Sequence, residues 1–518
     1  MKKIIIAITV ILNCSLIMAQ TELDALKYVQ TDINGTARYM SMAGAFGALG
    51  GDASAIKDNP AGLGIYRSSE LLGTVNVMMQ NSTSKWNGIT TSADDPYNTS
   101  LNNLSFVLVV PTWQNENEGR SLLYSNWSFS YNRLKNMNRT VSIKSGPSNS
   151  SMTDFMEYFS NGLSVADLSG SNELSNNPYN TTYVPWLSVL AYQGYLINPV
   201  AGTNNWATLL NPGETVIPSF NLVERGYVDE YSVGWSGNFS NILYLGTTLN
   251  LQRIDYTLSS SYSEEFHDGG NMRLNNSITS TGSGFNLNIG GILHPTDNLR
   301  FGLSLHTPSV YAMHDNYQAN LNYNNTVEYG NVATPTDGWN DFQIQGPLQL
   351  DASAAYILGT KGLISLEYDF SNYTGTRLMD NTGSSQTYLD ENQRMSSMLN
   401  DVHTLKIGGE YKLTSNFSLR AGYAISTNAT KPTAQKFMVD YTTRTDTEYF
   451  LNNGTNYLTA GFGYREAGWF IDCAYVHKNL DESYMPYNSN LLSTNLAVTP
   501  ASVISNSNNI LVTLGLKF

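Results

Sequence analysis

The last ten residues of the sequence, Asn509 to Phe518, read NILVTLGLKF. Every second side chain in this stretch is apolar, namely Ile510, Val512, Leu514, Leu516 and Phe518. Opposite them lie Thr513, Gly515 and Lys517, which are small or polar. Successive side chains of a β-strand point to opposite faces, so a period of two predicts a strand with one apolar face.

The same alternation recurs in segments of about ten residues through most of the chain. In residues 299–307 the apolar face consists of Leu299, Phe301, Leu303 and Leu305. Residues 243–252, 364–370 and 405–413 repeat the pattern. About ten residues is the length of a tilted transmembrane β-strand, and aromatic residues lie near the segment ends, where membrane barrels carry aromatic girdles.

The composition excludes several classes of protein. The chain has 518 residues, of which 14% are charged and 11% aromatic, and its mean hydropathy is -0.25. Helical membrane spans would raise the mean hydropathy well above zero, and a disordered chain would contain far fewer aromatic residues. The net charge of -14 leaves no basic surface for a nucleic-acid partner.

A soluble β-sandwich or β-propeller is the alternative that strand alternation leaves open. Strands in such folds usually have ~5–6 residues, and a propeller would show a repeat that this sequence lacks. A final strand that ends in Phe518 also resembles the signal read by the barrel-assembly machinery of outer membranes, which we expect as a partner. We therefore predict an all-β protein, an antiparallel transmembrane β-barrel with an even number of strands. The fourteen predicted strands cover residues 69–80, 102–111, 121–135, 226–240, 242–258, 273–293, 298–314, 342–358, 361–374, 401–414, 416–428, 455–466, 468–479 and 508–518.

Residues 1–19 are predicted to be a secretory signal peptide. Two lysines precede the apolar stretch from Ile4 to Leu12, and Met18-Ala19 offers a cleavage site before Gln20. Of the two cysteines, Cys14 lies in this peptide and Cys473 beyond it, so we expect neither an intramolecular disulfide nor a thiolate metal site. The predicted location is the outer membrane of a Gram-negative bacterium, surrounded by lipid and lipopolysaccharide.

Residues 136–225 do not alternate and are predicted to form a long extracellular insertion with small helices. Met152, Phe155, Met156, Phe159 and Leu163 follow helical spacing. A second apolar patch contains Trp186, Leu187, Leu190, Ala191 and Tyr195. We expect Phe155, Met156, Phe159, Leu187 and Leu190 to expose a ligand-binding groove. The alternative is a plain lid in which the two helices pack on each other.

Residues 20–68 form a second region without alternation, rich in Gly and Ala. Small residues permit close approach of backbones, as a segment threaded through a barrel lumen requires. Asp52 is a suitable N-cap for a short helix that ends before Asn59-Pro60.

The stretch from Asp52 to Leu63, DASAIKDNPAGL, resembles the N-terminal hatch of the FadL/OmpP1/TodX family of outer-membrane transporters. Its Asn-Pro-Ala element corresponds to Asn59, Pro60 and Ala61. Residues 290–308, 419–423 and 457–465 look like the family's barrel strands. The resemblance implies a hatch over residues 20–68 and a barrel over residues 69–518.

The resemblance also implies the transport of hydrophobic molecules, long-chain fatty acids or aromatic hydrocarbons. Ligand would meet an apolar extracellular groove, then a pocket beside the hatch, and would leave through an opening in the barrel wall. The gating residues would be Phe46, Leu49, Asn59, Pro60 and Ala61. The Asn59 amide is expected to clamp the hatch to wall backbone. Arg133, Arg253 and Arg300 are candidates for an inward-facing carboxylate site, or else for ion pairs within the wall.

Other functions remain open at this point. The same barrel could serve as a scaffold or shuttle in protein secretion or surface attachment, could take up haem, or could act as an esterase. The sequence has no Gly-x-Ser-x-Gly element and no metal-ligand spacing among its histidines, so we expect no enzyme, cofactor or metal. An apolar pocket beside the hatch would favour a transporter, and a solidly filled lumen would favour a scaffold.

Overall fold

The computed structural model describes residues 22–112, 122–171, 176–211, 213–325, 328–336, 338–438 and 442–518. The predicted signal peptide, residues 1–19, lies outside the described residues together with Cys14.

The described residues form long antiparallel strands joined alternately by short turns and long loops. In chain order the strands are β1 (Glu70–Trp86), β2 (Ile89–Leu108), β3 (Leu122–Asn136), β4 (Arg139–Lys144), β5 (Ile197–Pro199), β6 (Trp206–Thr208), β7 (Val216–Phe239), β8 (Leu243–Phe266), β9 (Asn271–Leu293), β10 (Leu299–His306), β11 (Val310–Asn324), β12 (Tyr329–Ala333), β13 (Gly338–Gln345), β14 (Gln349–Leu358), β15 (Gly362–Ser371), β16 (Arg377–Met379), β17 (Val402–Lys412), β18 (Phe417–Ser426), β19 (Tyr449–Arg465), β20 (Trp469–Met485) and β21 (Ala501–Lys517).

These strands close into a barrel. In the described part of the chain, fourteen strands surround the barrel at the end with the short turns, namely β1–β3, β7–β10, β14, β15 and β17–β21. The sheet closes where β21 pairs with β1, with Lys517 opposite Glu70. The predicted fold, a fourteen-stranded antiparallel barrel, is confirmed. We call its two ends the short-turn end and the long-loop end.

Strand lengths differ from the predicted ones. β7, β8 and β9 have 24, 24 and 23 residues and rise far above their neighbours, whereas β15, β17 and β18 have 10, 11 and 10. The predicted strands 298–314 and 342–358 are each interrupted, between β10 and β11 and between β13 and β14. Each break contains a proline, Pro308 or Pro347, which has no N–H to donate to a β-ladder.

The wall is apolar outside and polar inside. On β8, Leu245, Leu249 and Leu251 point outward and are about half-exposed, whereas Asn250 and Gln252 point inward and are buried. Water-soluble barrels have the reverse arrangement, so this face is built to contact lipid hydrocarbon.

The helices lie at the long-loop end or inside the barrel. They are α1 (Glu22–Val29), α2 (Ala37–Ser41), α3 (Met152–Ser160), α4 (Val165–Ser169), α5 (Trp186–Gln193) and α6 (Leu389–Met398). Short 3-10 helices cover Ala53–Lys57, Pro60–Ile65, Pro178–Asn180, Tyr373–Gly375, Gln386–Tyr388, Ser489–Leu491 and Thr494–Leu496. Among the described residues, no helix has both the length and the apolar character needed to cross a bilayer.

Candidate functional site

Residues 22–66, here called the inner segment, contact the inner face of the wall from one end of the barrel to the other. At the long-loop end, Arg394 of α6 forms an ion pair with Glu22 of α1. At the short-turn end, the side chain of Arg67, the next residue of the chain, donates to Asn241 in the β7–β8 turn at 2.8 Å.

Six inward-facing wall glycines receive the backbone of the inner segment. They lie on β8, β9, β10, β17, β18 and β19, and they are Gly246, Gly290, Gly302, Gly408, Gly422 and Gly461. A Cβ added at any of them would come closer than 3.0 Å to an atom of residues 41–60. The wall therefore accommodates the inner segment only because these positions have no side chain.

Asn59 connects the inner segment to itself and to the wall. Its Nδ2 donates to the carbonyl of Gly47 at 2.8 Å and to the carbonyl of Gly291 on β9 at 3.2 Å. Its Oδ1 accepts from the backbone N–H of Ala61 at 3.0 Å and so caps the 3-10 helix Pro60–Ile65. The contact with Gly291 has the geometry expected of a clamp between hatch and wall.

The other predicted features of this segment are packed rather than free. Asp52 caps the 3-10 helix Ala53–Lys57, as the sequence predicts. Phe46 is buried with its ring centroid 5.7 Å from that of Tyr39. Leu49 is also buried.

Buried ion pairs hold the inner segment against β17–β20. Arg420 donates to Glu410 and to Asp472, each at 2.6 Å, and Arg38 of α2 reaches the same Glu410 at 3.2 Å. A buried charge is costly unless it is paired. If α2 moved away, the carboxylate of Glu410 and the guanidinium groups of Arg38 and Arg420 would have to rearrange their ion pairs.

Asp58 forms a second charged contact within the inner segment. It pairs with Lys57 at 2.6 Å and accepts from the hydroxyl of Tyr39 at 2.6 Å. Burial would raise the pKa of the Asp58 carboxyl, but the ammonium groups of Lys57 and Lys406 outweigh burial and hold that pKa below its usual value. Asp58 is therefore an anion at neutral pH.

A cavity of about 210 Å³, the first cavity, lies between α1 and the wall formed by β1, β3, β4, β7, β8 and β19–β21. Its apolar lining includes Leu26, Met40, Met78, Met137, Leu222 and Phe450. Thr430, Lys436 and Glu448, from the loop between β18 and β19, line its side toward the long-loop end.

A second cavity of about 220 Å³ lies on the other side of residues 30–33. The two cavities share lining residues, including Asp32, Ile33, Lys135, Tyr457 and Lys478. The second cavity is mainly polar, and its remaining charged side chains come from β7, β10, β14, β15, β17 and the inner segment. In the described ranges, no group of three His, Cys, Asp or Glu residues is arranged to hold a metal ion.

The three predicted head-group arginines do not form a luminal site. Arg253 points outward, and its side chain is 62% exposed. Arg133 also lies on the outer face, paired with Asp229 at 2.9 Å. Arg300 does face inward, but its guanidinium donates to the carbonyl of Leu49 at 3.0 Å. The expectation that all three face the lumen is wrong for Arg133 and Arg253.

Lys135 is the luminal cation that sequence reasoning missed. The register of β3 against β7 shifts between Arg133 and Lys135, and a one-residue bulge moves the following side chains to the opposite face. Lys135 therefore lines both cavities, and its Nζ donates to the carbonyl of Lys27 at 2.8 Å. Among the described residues, no carboxylate lies within ion-pair distance of Lys135. Strand alternation alone contains no signal for this bulge.

The wall beside the first cavity is incompletely paired. β2 and β3 share backbone pairing only between residues 103–108 and 127–132. Above that level, side chains bridge the two strands, with Asn136 Nδ2 donating to Asn98 Oδ1 at 3.2 Å. We call this region the β2–β3 seam. Lys135 and Asn136 lie at the seam and also line the first cavity.

The helices of residues 136–225 form a packed lid. α3 starts at a capping box made by Ser151 and Asp154 and packs on α5. The side chains expected to expose a groove are all buried, namely Phe155, Met156, Phe159, Leu187 and Leu190. The predicted exposed groove is therefore wrong, because each helix covers the apolar face of the other.

Comparisons with known proteins agree with this architecture. The model of the family described as outer membrane protein transport protein (OMPP1/FadL/TodX) matches residues 228–483. A FadL homologue from Pseudomonas aeruginosa superposes with a TM-score of 0.51 at 12% identity, over 94% of this chain and 99% of that one. The toluene transporter TodX of P. putida gives a TM-score of 0.50 at 12% identity, over 94% and 99%. Identities this low show the shared fold alone, and no sequence among the curated proteins matches.

The family match adds transport and location to the fold. The family consists of transport proteins of the Gram-negative outer membrane, and the apolar outer face of the barrel suits that location. Residues 228–483 of the chain are therefore similar to the OMPP1/FadL/TodX family of outer membrane transport proteins, and the barrel has the fold of that family's solved structures.

Proposed function

We propose that this protein carries hydrophobic small molecules with long apolar chains, such as long-chain fatty acids, from outside the cell into the outer membrane. The observation that supports this proposal best is the first cavity, whose surface is more apolar than polar and which lies directly beside the β2–β3 seam. A hydrophobic molecule that leaves through the wall enters lipid directly and needs no aqueous channel.

Ligand would enter from the long-loop end. Short turns of bacterial outer-membrane barrels face the periplasm, so the long loops face the exterior. Because Thr430, Lys436 and Glu448 line the first cavity, the loop between β18 and β19 is the part of the protein that an incoming ligand meets first.

Residues 20–68 would act as a hatch that blocks passage to the periplasm. The close fit of the inner segment against six wall glycines supports this role, as does the contact of Asn59 with Gly291. Ligand-dependent movement of this hatch, with gating by Phe46, Leu49 and the Asn59-Pro60-Ala61 element, remains part of the proposal.

The exit would be the β2–β3 seam. Opening a normal ladder requires the loss of successive backbone hydrogen bonds, each worth about 1 kcal/mol net. At the seam, the described contacts are mostly between side chains, such as Asn136 with Asn98. The wall is therefore easier to open here than at neighbouring strand pairs.

Lys135 would receive the head group of an anionic ligand. Its ammonium lies at the boundary between the first cavity and the more polar second cavity. An amphiphile carries its charge at the end of its apolar chain, so a chain in the first cavity would place the head group beside Lys135. A neutral hydrocarbon such as toluene, which the transporter TodX carries, would use the first cavity without Lys135.

The scaffold hypothesis receives less support than transport. A barrel that only holds or presents another protein needs no apolar cavity beside its inner segment, and this barrel has one. Lipid and lipopolysaccharide around the outer face, and recognition of the C-terminal strand by the barrel-assembly machinery, are further parts of the proposal.

A reversible lock on the seam tests the proposed exit. The pair Asn98→Cys and Asn136→Cys is introduced in a Cys473→Ala background, and a short bifunctional thiol reagent joins the two cysteines. We expect fatty-acid uptake by cells to fall at least about tenfold after cross-linking, because the wall can no longer separate, while binding to purified protein persists. The single-cysteine proteins treated with the same reagent are the controls. Undiminished uptake through the cross-linked barrel would refute the seam as the exit.

A further inference from the structure

The charges around the second cavity form pairs with two exceptions. Four ion pairs account for eight of the ten charged residues in its lining: Asp32–Lys478 at 2.5 Å, Asp58–Lys57 at 2.6 Å, Asp351–His306 at 2.8 Å and Asp369–Lys406 at 2.7 Å. Among the described residues of this lining, Glu230 and Lys135 have no ion-pair partner.

Glu230 lines the second cavity and has an oxygen without a hydrogen-bond donor. This residue of β7 is 3% exposed, and its Oε2 accepts from Gln252 Nε2 of β8 at 3.0 Å. Its Oε1 is buried without a donor in the described structure. A buried carboxyl group without an ion-pair partner is costly to ionise, so its retention needs a functional reason.

Gln252, the neighbour of Glu230 on β8, offers an acceptor as well. Gln252 must turn its NH₂ toward the carboxylate, which accepts only, and this leaves Gln252 Oε1 without a donor. Glu230 and Gln252, which are paired across adjacent strands and line the cavity, thus each have one acceptor oxygen without a donor.

Such a set of oxygens is complementary to a cation that carries several N–H donors. A primary ammonium supplies one positive charge and three donors, whereas a quaternary ammonium supplies the charge alone. Lys135, at the boundary with the first cavity, is complementary to an oxyanion.

We propose that the second cavity recognises a zwitterionic head group, a primary ammonium joined to a phosphate or carboxylate. The ammonium binds Glu230 and Gln252, the oxyanion binds Lys135, and the apolar chain lies in the first cavity. This inference rests on the proposed transport of amphiphiles and narrows their chemical class.

Matched twelve-carbon probes test the inference on the full-length protein in phosphatidylcholine nanodiscs. Dodecylphosphoethanolamine, dodecylphosphocholine and dodecanoate each compete with a neutral fluorescent hydrocarbon probe bound to the protein. We expect the ethanolamine compound to bind at least about tenfold more tightly than the choline compound, which has no N–H donors. Glu230→Gln should abolish that preference without changing dodecanoate affinity, and Lys135→Gln should weaken binding of all three.

Glu265→Gln, on the exposed outer part of β8, is the matched control and should behave as wild type. Heat-modifiable electrophoretic mobility checks that each variant forms a barrel. If Glu230→Gln does not assemble, Glu230→Asp is tested instead. Its side chain is one methylene shorter, so its carboxylate lies farther from the ammonium and the preference for the ethanolamine compound should be reduced.

The outcomes separate the inference from the proposed function. An unchanged ethanolamine preference in a folded Glu230 variant, or its absence in wild type while dodecanoate binds, overturns the zwitterion site and leaves fatty-acid transport standing. If neither the neutral probe nor any amphiphile binds, the proposed function fails and the inference fails with it.

Discussion

At the scale of single residues, Asn59 shows how one side chain couples three parts of the structure. Its amide donates to the inner segment at Gly47 and to the wall at Gly291, while its carbonyl oxygen caps the helix that begins at Pro60. A buried amide that satisfies all these groups at once makes the contact between inner segment and wall specific, and removal leaves buried backbone groups without partners.

Asn59→Ala should loosen this contact. Three hydrogen bonds at about 1 kcal/mol each would be lost, so we expect leakage of small hydrophilic solutes or reduced ligand-coupled transport, with an intact heat-stable barrel. Liposome-swelling assays measure the leakage.

Asn59→Asp separates the two contributions of the amide. The aspartate keeps the cap on Ala61 but loses the donors to Gly47 and Gly291, so it should leak like the alanine variant if the wall contact matters. An Asn59→Ala protein that stays closed and transports at the normal rate would show that the motif is merely a turn.

At the scale of elements, α1 is held at the long-loop end by loops that come from distant parts of the chain. Arg394 of α6 pairs with Glu22, and Arg444 lies 3.6 Å from Asp24. Arg444 also binds Asp446. Burial would raise the pKa of the Asp446 carboxyl, but Arg444 and Lys436 outweigh burial and hold that pKa well below its usual value. The Asp446 contact therefore persists from neutral to moderately acidic pH.

Breaking the contact between α6 and α1 should free α1. The test starts from a Leu23→Cys, Cys473→Ala protein, in which the cysteine at position 23 reports the exposure of α1. When Arg394→Gln is added, we expect this cysteine to react with an impermeant maleimide at least about tenfold faster. The loss of a charged hydrogen bond costs about 1.5–3 kcal/mol, which is enough for this change.

Arg377→Gln is the matched control for α1 release. Arg377 lies in the same loop between β15 and β17 and donates to the carbonyls of Thr374 and Thr376, not to α1. Equal labelling rates in the Arg394 and Arg377 variants would show that the ion pair does not hold α1 in place.

At the scale of the whole molecule, the barrel and the inner segment are separable in principle. Wall strands pair with one another all the way round, including β1 with β21, and this pairing does not involve residues 22–66. The inner segment fits a groove of glycines and forms ion pairs with the wall, so it fills the lumen without forming part of the sheet.

Deletion of residues 22–66 should therefore leave a barrel that assembles and conducts ions. Planar-bilayer recordings should show a steady conductance for the deletion protein and none for the full-length protein, because the inner segment packs against the six wall glycines in the lumen. Removal of residues 200–204, an exposed turn of the long-loop insertion, is the control and should not raise the conductance. A deletion protein that assembles but remains non-conducting would contradict a blocking role for the inner segment.

The sequence by itself determined the barrel, because strand alternation is a local property. The alternation of side chains between the two faces of a strand does not depend on which strand it pairs with. Leu245, Leu249 and Leu251 therefore share one face of β8, and this face is the one that contacts lipid. The helix starts were equally local: Asp52 and Ser151 cap helices through their own neighbours. The Asn-Pro-Ala element was likewise recognisable from residues 59–61 alone.

Only the tertiary structure decided which side chains face the cavities. Arg133 and Lys135 have the same parity along β3, yet a bulge against β7 sends one outward and the other inward, and bulges arise from pairing between strands. Phe155 and Leu187 have helical spacing that fits a groove or a lid equally well, and their burial depended on where α3 and α5 meet. The tertiary structure also decided that Glu230 has no ion-pair partner. Whether a charged side chain is paired depends on strands that are separate in the sequence but adjacent in the barrel.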